Sequence, residues 1–421
     1  MPKRKRMLSL ILKQLTAYYQ RATGTNQAQT KPHEERSAVE RREKVGGGKM
    51  VLDTEDQEIV DKLPQLSELH TSYGVRVNEI SVADLFALYE RTGFLYPEKA
   101  ARLTPHIDRV RENWRRMLSG GDSILYVLTA GDKERGMASL AVWRTTFTGW
   151  VSQHLVSENN PYASRAVMLD GSAGSILRGV DGSHQNWFRP ENRFPARVFG
   201  SMVQTIGERN SSVMRHSYFF VPKKMALNSP EGIRSVAYTP AHKSALCAIA
   251  SAARGSVYVK AEELKEDVEL KAIDDLYRRV GLRRTRQVWL AFKGTREEPV
   301  GAAIAYRGPL GLNFSYLENR CDLLLHPTLP ESEALGIVAS LLKASSVAYA
   351  DFELNEIPVI ADQIAVPALQ KLGLEFVRHY CQGIWLREGQ PRFYRHVDRF
   401  YTKLLVRAER HNQQMEPSLS A

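Results

Sequence analysis

Cysteine is nearly missing from this chain. Three residues in 421, Cys247, Cys321 and Cys381, are scattered and odd in number. That speaks against a disulfide framework, and no pair has metal-ligand spacing. The set reads as reduced thiols in a cytoplasmic setting. Long apolar runs are missing too, since none reaches the roughly 18–20 residues that span a bilayer. The opening MPKRKRMLSLILKQL imitates a secretory signal, but its apolar core is only Met7 to Leu12, Lys13 interrupts it, and no small-residue cleavage site follows. Glycine-rich phosphate loops of the P-loop and dinucleotide-binding types are absent. GSAGS at Gly171–Ser175 falls inside an expected helix, so it is no nucleophile elbow. The histidines are dispersed without metal spacing, and no metal is expected.

Charge of one sign is also scarce outside the first residues. The net charge is +11, but residues 1–50 hold 12 Lys and Arg against 4 Asp and Glu, while the other 371 residues hold 46 against 43. The basic character belongs to the leader, which argues against a nucleic-acid-binding core. Leu8, Leu10, Ile11, Leu15, Tyr18 and Tyr19 share one helical face, so residues 1–22 could touch an anionic membrane or nucleic acid. A short helix docked on its own protein, or a solvated leader, explains the same residues. Residues 23–50 end in Gly46-Gly47-Gly48 and read as a flexible linker.

What is present is an internal repetition. Hydrophobic content is 43% and charged content 25%, ordinary for a globular protein. ILYVLTAGDKERGMASLAVWRTTFTGWVSQHLV from Ile124 has the plan of VWLAFKGTREEPVGAAIAYRGPLG from Val288 and the FSYLENRCDLLLHP that follows. Downstream, Asn186–Pro222 lines up in character with Ala350–Leu386. Copies of roughly 150 residues are tandem domains, because solenoid repeats have periods nearer 20–50. The division expected is a leader and linker (1–50), a first domain (51–222), a connecting segment (223–255), a second domain (256–390) and a C-terminal helix and tail (391–421).

In the first copy the patterns predict a strand at Val75–Ile80, a helix capped by Ser81, and a helix over Pro97–Leu118. Strands follow at Ser123–Leu128, Ala138–Arg144 and Val151–Val156, then a helix from Tyr162, a strand at Asn186–Arg189, a helix over Pro195–Ile206 and a strand at Val213–Val221. The connector should hold one helix, Ala241–Ala253. The second copy repeats the order: strand Val257–Val259, helix Leu270–Val280, strands Gln287–Phe292, Val300–Arg307 and Cys321–Leu325, helix Ser332–Ala344, strand Tyr349–Glu353, helix Ile360–Leu372 and strand Phe376–Leu386. A last helix carries Phe393, Val397, Phe400, Leu404 and Ala408 on one stripe. The class is mixed α/β, with a parallel βαβ step in each copy.

This order resembles the Gcn5-related N-acetyltransferase (GNAT) superfamily in tandem. CDLLLHPTLPESEALGIVASLL at Cys321–Leu342 resembles the family's fourth strand and the helix whose N-terminus takes the CoA pyrophosphate. ALQKLGLEFVRHY at Ala368–Tyr380 resembles its "lYeklGFe" ending. The resemblance implies an α/β mixed sheet with two tandem acyl-CoA N-acyltransferase folds. It also implies acetyl-CoA or a longer acyl-CoA as co-substrate and an amine-bearing acceptor, small molecule or protein. The second copy departs from the phosphate-loop pattern: Pro330 offers no N–H, and Glu331 and Glu333 occupy the positive end of the helix dipole. The family's frequent general-acid tyrosine aligns with Leu369. A structural role is expected of that copy.

In the first copy the corresponding loop runs Ser157–Arg165. Asn159, Asn160, Tyr162, Ser164 and Arg165 are its candidate cofactor-binding residues, and a well-capped helix with a surface arginine explains them equally. The resemblance places the thioester between splayed fourth and fifth strands, here carrying Gln153, His154, Asn186, Trp187 and Arg189. His154, Glu158 or Glu191 is the candidate base and Tyr218 the candidate acid. Each has a plain alternative: a partly buried strand histidine, a Glu191–Arg193 turn pair, a core tyrosine. The function read from this is acyl-CoA-dependent N-acyl transfer in the first copy, or else a catalytically degenerate binding or regulatory module.

Overall fold

The computed structural model describes residues 74–177 and 182–415. The basic leader, its apolar face and the linker lie outside the described residues.

Among the described residues, twelve strands form one sheet in the order β1-β2-β3-β4-β5-β12-β6-β11-β10-β9-β8-β7. The first six are Arg76–Val77, Leu125–Asp132, Gly136–Arg144, Trp150–Ser157, Ser183–Phe188 and Ser211–Pro222. The second six are Ile233–Ala237, Thr285–Lys293, Gly301–Arg307, Cys321–Leu325, Glu356–Ala361 and Phe376–Leu386. Read backwards, with each strand replaced by its counterpart six places away, the order is unchanged. The repetition is therefore a pseudo-twofold in space. The last strand of each half is exchanged: β12 lies between β5 and β6, and β6 lies between β11 and β12.

The helices of the first half are α1 (Val82–Arg91), α2 (Pro97–Leu103), α3 (Ile107–Ser119), α4 (Pro161–Leu177), α5 (Arg193–Val198) and α6 (Met202–Ile206). Those of the second are α7 (Lys243–Ala261), α8 (Lys271–Arg278), α9 (Glu331–Ser345), α10 (Val366–Lys371) and the long α11 (Gln390–Met415). Helices cover both faces of the sheet, so a central strand buries both sets of side chains. On β2, Leu125 and Val127 join one core while Tyr126, Leu128 and Ala130 join the other. Such a strand reads as a continuous apolar run, because period-2 alternation carries no polar member. Ser81 caps α1 by accepting the Asp84 N–H, and Gly93 just beyond has φ +67°. No described helix is long and apolar enough to cross a membrane.

Five local expectations are corrected. The helix over Pro97–Leu118 breaks at the 3₁₀ turn Thr104–His106, where Pro105 supplies no N–H. The helix over Pro195–Ile206 is two short helices. Val257–Val259 is helical, inside α7, and the second half opens instead on β7, within the stretch read as connector. The β-branched valines carried a strand signal, but burying Val257, Tyr258 and Val259 against the sheet outweighs that preference. The strand expected at Tyr349–Glu353 is β11, and the helix expected from Ile360 begins at Val366. Pro358 sits inside β11 and hides it, since proline lacks the ladder donor. The strand equivalent to β5 is accordingly Glu356–Ala361 rather than one near Ala350.

Candidate active site

β4 and β5 run parallel and pair at only two positions, Trp150 with His184 and Val151 with Gln185. Beyond them the backbones part. Side chains bridge the start of the gap: Gln153 Nε2 donates to the Trp187 carbonyl at 3.0 Å, and Asn186 Nδ2 donates to the Ser152 carbonyl. On its other edge β4 is bulged against β3, because Ser139 faces Val156 and Ala141 faces Gln153. Two residues, His154 and Leu155, thus oppose Leu140 alone, and His154 takes φ +56°. The parted strands open a cleft of about 650 Å³, in the range of roughly 300–1,000 Å³ usual for small-molecule sites. Its floor comes from the second half: Asn313, Phe314, Ser315 and Leu317, with Tyr380 of β12. The fold is of the GNAT type.

The equivalent edge of the second half is closed. β10 and β11 pair at three positions, and ion pairs cross the site. Arg254 of α7 contacts Asp322 at 2.9 Å and Asp362 at 3.2 Å, and Arg320 contacts Asp322 at 3.0 Å. Tyr258 donates to Asp322 at 2.9 Å, and His216 Nδ1 meets Asp362 at 2.8 Å. Burial alone would raise the Asp322 carboxyl, but the charges of Arg320 and Arg254 hold it below the ordinary value.

His154 is 4% exposed and boxed by aromatic rings. Its ring stacks on Trp114 at 5.5 Å and 23°, and Phe314, Phe94, Trp143 and Tyr89 lie 4.4, 5.0, 5.4 and 5.5 Å away, centroid to centroid. Burial, then the charge of Lys99, pushes its pKa well below 6.5, so the imidazole is neutral at pH 7. Nδ1 is buried with no protein partner among the described residues. Of the other candidates, Glu191 lines the cleft, loosely held by Arg189 at 3.9 Å. Glu158 does not line it: one oxygen takes Arg91 at 2.8 Å and the other takes the Met137 N–H at 3.0 Å. Tyr218 lies behind the floor, where its hydroxyl donates to the Ser315 carbonyl at 2.8 Å and burial holds its pKa well above 10.

The N-terminus of α4 satisfies itself. Asn160 Oδ1 accepts the Ala163 N–H at 3.0 Å, and Ser157 Oγ accepts the Asn160 N–H at 3.2 Å. Asn159 sits at φ +56°, and Tyr162 is 42% exposed. Ser164 lines the cleft but shares a hydrogen bond with Tyr401 at 2.7 Å, while Arg165 pairs with Asp398 at 2.6 Å. Both partners belong to α11, which packs along α4. Bare amides of the kind that hold a diphosphate are therefore not on offer at Asn160 and Ala163.

Sequence reasoning missed the α2 wall. Tyr96 and Lys99 line the cleft, with Lys99 Nζ over the Phe94 ring at 3.8 Å and bonded to the Phe94 carbonyl at 3.1 Å. Burial, then repulsion from Arg189 and Arg378, pushes Lys99 down to about 7. A lysine in a helical stretch carries no signal of this; nor did the 313–317 loop, which joins the cleft only through the fold.

No family model matches the chain, and no curated protein matches it. Among solved structures it is similar to a GCN5-related N-acetyltransferase from Sphaerobacter thermophilus, at 12% identity over 74% of this chain and 95% of that one, TM-score 0.38. A tandem GNAT protein from the clavulanic acid biosynthesis pathway gives 11% identity over 74% and 98%, TM-score 0.38. A GCN5-related N-acetyltransferase from Kribbella flavida gives 13% over 62% and 90%, TM-score 0.32. Likenesses of this size say nothing of activity, and the fold assignment rests on the strand order and the parted β4–β5 edge.

Proposed function

We propose that the chain is an N-acyltransferase using an acyl thioester, acyl-CoA by the resemblance of its fold, with its site in the β4–β5 cleft of the first half. The observation that carries this reading is the cleft itself. Two parallel strands separate after two pairs beside a bulge, with apolar Leu155, Val156, Phe188 and Phe199 along the gap. An acyl-pantetheine arm fits such a slot, and its amides can pair with strand edges freed by the parting. The diphosphate fits less well, because Asn160 and Ser157 already cap α4. In the reaction the acceptor nitrogen attacks the thioester carbonyl carbon, a C–N bond forms and the C–S bond breaks. The nitrogen gives up its proton and the leaving thiolate takes one. His154, neutral and fixed by its aromatic box, accepts a hydrogen bond from the amine and orients it. The Glu191 carboxylate receives the ammonium proton, directly or through water. Tyr218 acts through the floor, anchoring the loop that carries Phe314.

The second reading, a binding module without catalysis, is favoured by one specific observation: α11 already holds Ser164 and Arg165. Calorimetric titration with acetyl-CoA and longer acyl-CoAs, followed by mass spectrometry of a mixed amine pool, separates the two. Binding with a product heavier by the acyl group supports transfer. Binding without product supports the module, and no binding at millimolar acyl-CoA sinks both thioester readings.

A further inference from the structure

Three cations converge on one tyrosine at the cleft. Lys99 Nζ is 4.8 Å from the Tyr96 ring centroid, the Arg189 guanidinium is 5.6 Å from it, and Arg378 donates to the Tyr96 hydroxyl at 2.9 Å. Their carboxylates number two. Glu98 pairs with Arg378, and Glu191 stands 3.9 Å from Arg189. Lys99 has no acidic partner among the described residues; a backbone carbonyl and two aromatic faces hold it in place. Packing a lysine beside two arginines without a counter-charge is unfavourable unless something else supplies one. With Lys99 protonated the cluster is one negative charge short, and it faces the same cleft as His154.

We propose that Lys99 and Arg189 bind a carboxylate on the acyl acceptor, which makes the acceptor an amino-acid-like amine. This rests on the acyl-transfer reading above. The carboxylate pairs with Lys99 Nζ and the Arg189 fork, and the amine then extends along the cleft toward His154. A single spare charge suits a monoanionic carboxylate. A diphosphate brings two charges into the same space, where Glu191 repels the second. The donors come from α2 and the end of β5, with Arg378 of β12 behind Tyr96, and none from the N-terminus of α4. The half-desolvated setting strengthens a charge-assisted bond relative to water. Burial and the two arginines leave Lys99 poised near neutrality, so bound carboxylate draws a proton onto it.

The test is calorimetric titration of the full chain with each of the twenty L-amino acids and with the matching carboxamides, and separately with CoA. At least one amino acid should bind ~10-fold or more tighter than its amide, a difference of one charge-assisted contact. Lys99→Met should bring acid and amide within about threefold, and Arg189→Gln should narrow the gap, while CoA affinity stays within about threefold in both. Thermal melts matched to the parent show that the variants fold. Amide and acid bound equally, or no amino acid bound at all, overturns the proposal. So does a Lys99→Met variant that loses CoA and keeps its acid preference, since the cluster then serves a phosphate. Acid preference without any CoA binding would defeat the acyl-transfer reading and leave the carboxylate site standing.

Discussion

Arg254 is the charge that closes the second half, and replacing it by methionine tests whether closure is electrostatic. Its side chain is 1% exposed and touches Asp322, fully buried, and Asp362. Methionine keeps most of the volume, so the change removes charge more than packing. Asp322 retains Arg320 and Tyr258, whereas among the described residues Asp362 retains only His216, which burial and Arg254 keep below its ordinary pKa. Breaking one side of a buried pair costs about 3–5 kcal/mol, and the expected loss lies in that range at pH 7.5. The sign with pH follows from the two aspartates. Both sit below the ordinary carboxyl value in the parent, so their contribution is present above that value and is lost only as pH falls through the depressed pKa. Without Arg254, burial lifts Asp362 above the ordinary value, and removal of the same repulsion lifts His216. Acidification then neutralises Asp362 or charges its partner, and either relieves the defect. The deficit of Arg254→Met relative to the parent should therefore be largest near pH 7.5 and smaller at pH 5.5, by urea unfolding at both. Adding Asp362→Asn should recover about 0.5–3 kcal/mol. A loss below about 1 kcal/mol, or one equal at both pH values, would refute the reasoning.

Tyr218→Phe removes the hydroxyl that holds Ser315 and should cost about 1 kcal/mol in urea unfolding; it should also weaken acetyl-CoA binding by calorimetry, although the residue does not line the cleft. Burial holds His184 near pKa 3 and His154 well below 6.5, so neither imidazole should titrate by NMR between pH 8 and pH 5. Because both take up protons only on unfolding, each should lower stability below pH 6.5 by about 1.4 kcal/mol per pH unit, and His184→Asn should remove one such increment. Arg165→Ala and Asp398→Ala should show a coupling of about 0.2–1 kcal/mol in a double-mutant cycle; zero coupling would mean that α11 is not held to α4 through this pair.

Much of the fold was legible because its strands announce themselves. Cys321–Leu325 is a short, mostly apolar stretch, Phe376–Leu386 is a longer one rich in aromatic and branched residues, and both stand where expected. Gly93 and Ser81 marked the ends of α1 by their own chemistry. The failures are those of long-range packing. Val257–Tyr258–Val259 is helical because a core receives it, and Pro358 lies in a strand that β6 completes from the other half. The cleft was half legible. His154, Glu191, Ser164, Asn186 and Trp187 were found because the resemblance gave an address to polar residues on adjoining strands. Lys99 and Tyr96 lie on a helix that no motif marks. Phe314 comes from the loop after β9, about 160 positions from His154 in the chain, and only the assembled fold brings the rings to 4.4 Å. The capture of Arg165 by Asp398 was equally hidden, since spacing along the sequence does not reveal which helix lies alongside another.

The exchanged strands have a consequence for what counts as one molecule. Each half ends on a strand that lies inside the other, with β6 laddered to β11 and β12 on either side. Neither half can be lifted out without leaving a slot in its own sheet. The chain is a covalent version of an interlaced dimer, and the link between Pro222 and Ile233 is a tether more than a hinge. Cleaved there, the two pieces should migrate together through gel filtration until denaturant separates them. Expressed alone, either piece leaves three strand edges unsatisfied and should pair with a second copy of itself. A protein of this weave keeps its cleft only while both pieces are present, because the floor beneath His154 belongs to the half whose own equivalent edge, between β10 and β11, is closed.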